Sequence, residues 1–149
     1  MELKSLLVDS KTTWAEFPGL NGFEVELANL SRKELTNLRK KCTINKFNRK
    51  TRQFEDELND EKFVVEFTKA TVKNWKGLKL EYLQDLLLVD LKDQNPEDEM
   101  EFSETNAQVL VENSSEFDNW LNEVVFDLEN FRSQEQGKVK KETWSISRQ

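Results

Sequence analysis

The stretch "KATVKNWKGLKLEYL", residues 69 to 83, decides how the middle of the chain is read. Its Trp75 stands two residues before a glycine, in a sequence with four glycines and no histidine. Upstream, Phe63, Phe67, Ala70 and Asn74 recur at helical spacing, and Val64, Thr71 and Trp75 run beside them. The pattern predicts one helix that starts on an Asn59 or Asp60 cap and carries Trp75 on its apolar stripe. Gly77 then closes it, because glycine takes the left-handed conformation found just past helix ends. Leu80, Leu83, Leu86 and Leu87 predict a second, short helix directly afterwards. On this reading Trp75 is core, not the rim of a binding site.

Working outward toward the N-terminus, "TTWAEF" and "FEVELANL" alternate apolar and polar residues around "PGLNG". Pro18, Gly19, Asn21 and Gly22 are turn formers, so a β-hairpin with a five-residue loop is expected. Ser31 and Glu34 make a capping box for a helix over "SRKELTNLRKKC", with Leu30 and Leu35 at the staple positions. "TINKFNRKTRQFEDEL" predicts a second hairpin turning near Asn48 to Thr51. Toward the C-terminus, "VDLKDQNPEDEMEF" is acidic and turn-prone, hence a loop. Ser103 caps a helix with Ala107, Leu110 and Val111 inward. Ser114 or Ser115 caps a final one, in which Phe117, Trp120, Leu121, Val124, Val125, Leu128 and Phe131 keep helical spacing for four turns. After Arg132 periodicity stops. The expected fold is α+β and mostly helical, with N-terminal hairpins followed by four to five helices. One domain would span residues 1–132, with a polar tail over 133–149 in which Trp144 is the only bulky anchor.

Composition narrows the chemistry. Without histidine there is no Ser-His-Asp or Cys-His catalysis and no His-containing zinc site. Cys42 is the only cysteine, so no intrachain disulfide forms, which fits a reducing compartment. Asp and Glu total 29, but a catalytic carboxylate pair needs a water-excluding pocket, and charge runs are usually solvated faces. No apolar run reaches the roughly 20 residues of a membrane span. The N-terminal apolar stretch is too short for a signal peptide. A non-enzyme that uses no cofactor, metal or membrane is the expectation.

Three features could carry function. The first is charge segregation: residues 31–53 hold nine Lys or Arg against Glu34, and residues 81–104 hold nine Asp or Glu against Lys92. The basic segment contains Phe47 and could track a phosphate backbone through Arg49, Lys50 and Arg52. The whole chain, however, carries −7 and repels nucleic acid at long range. The two segments more simply complement each other, within a fold or between subunits. The second is a calcium-loop spacing at Asp93, Asn95, Glu97 and Glu104. It fails because Asp98 stands where the turn needs glycine and Pro96 stiffens the loop. The third is the aromatic helix from Phe117 to Phe131, read as core in preference to a partner-binding face.

The order of these pieces resembles the tail assembly chaperones of long-tailed, siphovirus-like bacteriophages. There, a Trp followed by a small residue closes a helix. A connector leads to a hydrophobic-(T/S)-x-E/x-N segment, and a "LL"-like helix and a terminal aromatic helix follow. The matching residues are Trp75 with Gly77, then Phe102, Ser103 and Asn106, then Leu110, then Phe117 with Trp120. The likeness runs over roughly residues 14 to 131. It implies a virus-encoded, non-enzymatic protein of the host cell cytoplasm that is absent from the mature virion. Such a protein binds the tape measure protein, keeps it soluble, helps recruit tail tube protein and self-associates. Arg49, Lys50, Arg52 and Trp144 are the candidate partner-binding residues. Two other readings stand beside this one. The first is a nucleic-acid-binding regulator using residues 32–52; the second is a small phage accessory protein that binds a host enzyme or defence factor.

Overall fold

A computed structural model describes residues 1–7 and 12–132; the expected polar tail with Trp144 lies outside the described residues. After a short 3-10 helix at Leu3–Leu6, the first hairpin pairs β1 (Thr12–Glu16) with β2 (Glu24–Ala28) in antiparallel register. Phe17 N–H donates to the Phe23 carbonyl at 2.9 Å, which extends the pairing and leaves the expected five-residue loop, residues 18–22. A third strand, β5 (Val72–Lys76), joins the other edge of β2, so the sheet order is β1-β2-β5.

Between β2 and β5 the chain makes an excursion. Helix α1 (Arg32–Lys41) starts on the predicted capping box, with Ser31 Oγ accepting from Glu34 N–H at 3.1 Å. A second hairpin follows, β3 (Thr43–Asn48) paired with β4 (Gln53–Leu58), as a separate two-stranded sheet. Helix α2 (Asp60–Thr71), capped by Asn59, brings the chain back.

Here the structure corrects the reading of Trp75. The helix ends at Thr71, whose hydroxyl bonds back to the Phe67 carbonyl at 2.7 Å, and Val72 to Lys76 continue as a strand. The helical spacing was imitated by a strand irregularity. Register slips between Glu26 and Leu27 of β2, so Val72 and Trp75 are both buried although three residues apart. Thr71 and Val72, both β-branched, suit this exit into a sheet. Asn74, expected on the buried stripe, is exposed. Gly77 is therefore not a helix cap. It sits past the strand at φ +74°, and a Cβ there would run into the Gly22 carbonyl oxygen, so two glycine-bearing turns pack backbone to backbone.

The rest is helical: α3 (Leu80–Leu86), α4 (Glu104–Asn113) and α5 (Ser115–Val125). Ser103 and Ser114 cap α4 and α5, bonding Asn106 N–H at 3.0 Å and Phe117 N–H at 3.2 Å. The last helix is shorter than the four predicted turns. Asp127 accepts from Glu129 N–H and starts a separate 3-10 helix, Leu128–Phe131, which returns Phe131 to the core and leaves Phe126 and Leu128 exposed. The core lies where the sheet meets α5: Phe17, Phe23, Val25 and Leu27 pack with Phe117, Leu121 and Val125. The described residues make an α+β fold whose hairpins come early and whose helices dominate later. The strand β5, between α2 and α3, is the element the sequence reading lacked.

Candidate functional site

The landmark residues do not gather into a site; they build the core. Trp75, 5% exposed, meets Phe23 edge-on at 6.4 Å between ring centroids and Phe102 at 5.1 Å. Phe117 stacks with Phe17 and Phe23, and Trp120 packs across Phe17 and Phe117. Asn106 donates to the Glu101 carbonyl at 3.1 Å. Ser103 caps α4 and Gly77 closes against Gly22, so each landmark is accounted for by packing, capping or backbone approach.

Arg49, Lys50 and Arg52, by contrast, are brought together. They occupy the four-residue loop between the paired residues Asn48 and Gln53, at the tip of the β3–β4 hairpin. Asn48 shapes that loop: its side-chain oxygen accepts from Lys50 N–H at 2.9 Å, and its carbonyl accepts from Arg52 N–H at 2.7 Å. Arg52 takes a left-handed φ of +57° to close the turn. Just below, Phe47 faces Phe54 across the ladder with ring centroids 5.3 Å apart. These two rings are 53% and 70% exposed, so the pair is bare to solvent. On the opposite face Lys46 pairs with Glu57 at 3.1 Å and Asn48 bonds Glu55 at 3.2 Å. From Ile44 to Glu57 every residue but Asn48 is exposed, so both faces of the hairpin stand in water.

The arm is fixed at its base. Asn59 N–H donates to the Cys42 carbonyl at 2.8 Å, the Cys42 side chain is fully buried, and Lys41 pairs with Glu66 of α2 at 3.1 Å. That contact, with the fields of Lys69 and Lys62, holds the Glu66 carboxyl below its usual pKa, against a smaller opposing effect of desolvation. Helix α1 buries no residue of its own. Leu35 and Leu38 of α1 still pack against the core, so within the basic segment only the β3–β4 hairpin stands clear of it.

A second surface lies beyond Gly77. The acidic connector folds against α3: Leu80 N–H donates to the Asp98 carbonyl at 2.7 Å, and Met100 N–H to the Leu78 carbonyl at 2.7 Å. Trp75 Nε1–H donates to the Met100 carbonyl at 2.8 Å, so the buried Trp pins the end of this connector. Between α3 and the connector is an open pocket of about 770 Å³, lined by Leu80, Leu83 and Met100 and by Asp90, Asp98, Glu99 and Glu101, with Lys92 the one cation among them. Among the described residues, no ion pair joins a cation of residues 31–53 to an acid of residues 81–104. Complementarity within one fold, one of the two expectations, is not realised there.

Sequence reasoning named the three tip cations and Phe47 but missed Phe54. Its signal was partial: a turn over Asn48 to Thr51 puts Phe54 on the same face as Phe47 but opposite Asn45, and only the observed loop over residues 49–52 brings the two rings opposite. The pocket had no such signal, because its lining residues come from separate turns of the connector and α3. Among the described residues no group of three Cys, Asp or Glu is placed to hold a metal ion, and no helix is long and apolar enough to cross a membrane. Comparison of the chain with models of known families, with curated proteins and with solved structures finds no match.

Proposed function

We propose that the protein is a non-enzymatic tail assembly chaperone of a long-tailed bacteriophage, acting in the host cytoplasm through protein–protein contacts. It keeps a long, aggregation-prone tape measure protein soluble and presents it to tail tube subunits. The observation that carries this reading is the β3–β4 hairpin, which exposes an aromatic pair and a basic tip while contributing little to the core. Isolated two-stranded hairpins are marginal in water. An arm of this kind, with both faces bare, has the form of a contact element. The acidic body supports the same role, since net negative charge keeps a complex with an apolar client dispersed. Several copies along one elongated client give avidity without a single tight site. The order of the landmark residues from Phe102 to Trp120 supports the family reading, whereas Trp75 and Gly77 end a strand and not a helix and so do not.

A nucleic-acid reading draws on the same hairpin, because exposed aromatics beside cations can stack bases and meet phosphates. Asp56, on the same face as Phe54, argues against it, as does the net charge of −7. The test is co-expression with the tape measure protein of the phage that encodes this chain. The chaperone reading expects that protein to move from pellet to supernatant and to co-purify with this chain. A client that stays in the pellet, or a host enzyme as the dominant stoichiometric partner, overturns it. Salt-sensitive retention of DNA or RNA that is lost on reversing Arg49, Lys50 and Arg52 would establish the nucleic-acid reading instead.

A further inference from the structure

We infer that the β3–β4 hairpin of one copy docks on the acid-lined pocket between α3 and the connector of a second copy. The hairpin presents two bare phenyl rings under three tip cations. The pocket presents the complement, apolar side chains together with four carboxylates that outnumber its one cation, Lys92. The pocket is open to solvent, which suits a shallow contact with a protruding element. Each surface lacks what the other offers. The rings have no apolar cover in their own copy, and the tip cations make no ion pair among the described residues.

The two surfaces are built from separate stretches of chain: the hairpin precedes α2, whereas the pocket is built after α2 and β5. Docking between copies uses both surfaces without rearranging either. Because the surfaces differ, the contact is heterologous, and each added copy still presents one free hairpin or one free pocket; growth continues until a ring closes or a client ends it. At long range, copies with a net charge of −7 repel one another, so the local attraction of tip and pocket fixes the register and salt weakens it.

The inference rests on the self-association in the proposed reading but not on the identity of the client. Its test is the weight-average mass of the full chain by sedimentation or light scattering across a concentration series at low and high salt. The wild type should rise above the 17.6 kDa monomer at low salt and fall back at high salt. R49E/K50E/R52E should stay at monomer mass, and so should D98K/E99K/E101K, each with an unchanged far-UV CD spectrum. Both sets in one chain should restore association, because tip and pocket have exchanged signs. Phe54→Ser, which alters no charge, should also weaken association. A wild type that remains monomeric refutes self-association and the docking together. Association that survives both reversals, or that the combined set fails to restore, refutes the docking alone and leaves the chaperone reading to the client assay.

Discussion

Replacing Trp75 by Ala tests whether this residue is a structural keystone of the sheet and not a contact residue for a partner. The side chain is 5% exposed, wedged edge-on against Phe23 and Phe102, and its indole N–H holds the Met100 carbonyl at 2.8 Å. Truncating a buried Trp to Ala costs roughly 3–5 kcal/mol through lost transfer free energy and an incompletely collapsed cavity. Small domains have about 5–15 kcal/mol of stability, so the variant should fold but lose much of its margin. With a urea slope of roughly 2 kcal/mol per M, the midpoint should fall by about 2 M at unchanged slope.

Trp75→Phe separates the two contributions. It keeps an aromatic ring between Phe23 and Phe102 and removes the donor to Met100, for which about 0.5–1.5 kcal/mol is expected. Urea unfolding followed by far-UV CD reads both variants without depending on the lost fluorophore. A midpoint shift below about 0.5 M for Trp75→Ala would mean that the packing argued here does not support the fold. An unchanged midpoint with loss of the client would make Trp75 a contact residue, contrary to its burial.

Three further outcomes follow from particular contacts. Gly77→Ala combines a left-handed φ with a collision against the Gly22 carbonyl, whereas Gly19→Ala at φ +87° meets open space. The first should therefore cost clearly more than the roughly 1 kcal/mol of strain expected from the second, as melting of both variants will read. Ser103→Ala removes the acceptor for Asn106 N–H and should lower stability by about 1 kcal/mol, with Ser103→Thr or Ser103→Asp largely rescuing it. Lys41→Met removes the main hydrogen bond to Glu66 and should raise the Glu66 pKa toward its ordinary value in a carboxyl NMR titration. Since the folded pKa is depressed, the stabilisation from this pair is present above the unfolded pKa and lost as pH falls through the folded one, so the Met variant should show a weaker acid dependence.

Much of the fold was legible because local chemistry and tertiary structure agree there. "PGLNG" makes the first turn, Ser31 with Glu34 starts α1, and Ser103 and Ser114 start α4 and α5. Two places misled for physical reasons. In β5, the slip at Glu26 and Leu27 puts buried side chains three apart, so a strand displayed a helix period. After Val125, the apolar spacing runs on through Leu128 and Phe131, but Asp127 competes for backbone amides and restarts the chain as a 3-10 helix. Both errors come from reading periodicity where one side-chain or register event decides the backbone. The site divides the same way. The cations at 49, 50 and 52 were visible as a charge run, while the Phe47 and Phe54 pair depended on ladder register and the pocket on tertiary folding.

The hairpin also bears on why such an arm resists indiscriminate pairing. A two-stranded sheet has both edges open, and open edges bearing exposed aromatics invite other strands to add. Here β3 carries Lys46 and β4 carries Glu55, Asp56 and Glu57, all exposed, and the tip carries three cations. An arbitrary strand must bring the complementary charges or desolvate these groups unpaired, which penalises most partners. A surface that places carboxylates beside apolar side chains meets the tip and the rings together. The charges that protect the edges therefore select what the rings touch, and on this molecule the connector pocket offers that arrangement. Ordering the backbone of a bare arm costs about 1–2 kcal/mol per residue, with little core burial to offset it. Docking adds burial to an arm already fixed at its base by the Asn59–Cys42 and Lys41–Glu66 contacts, so its selectivity rests on that contact.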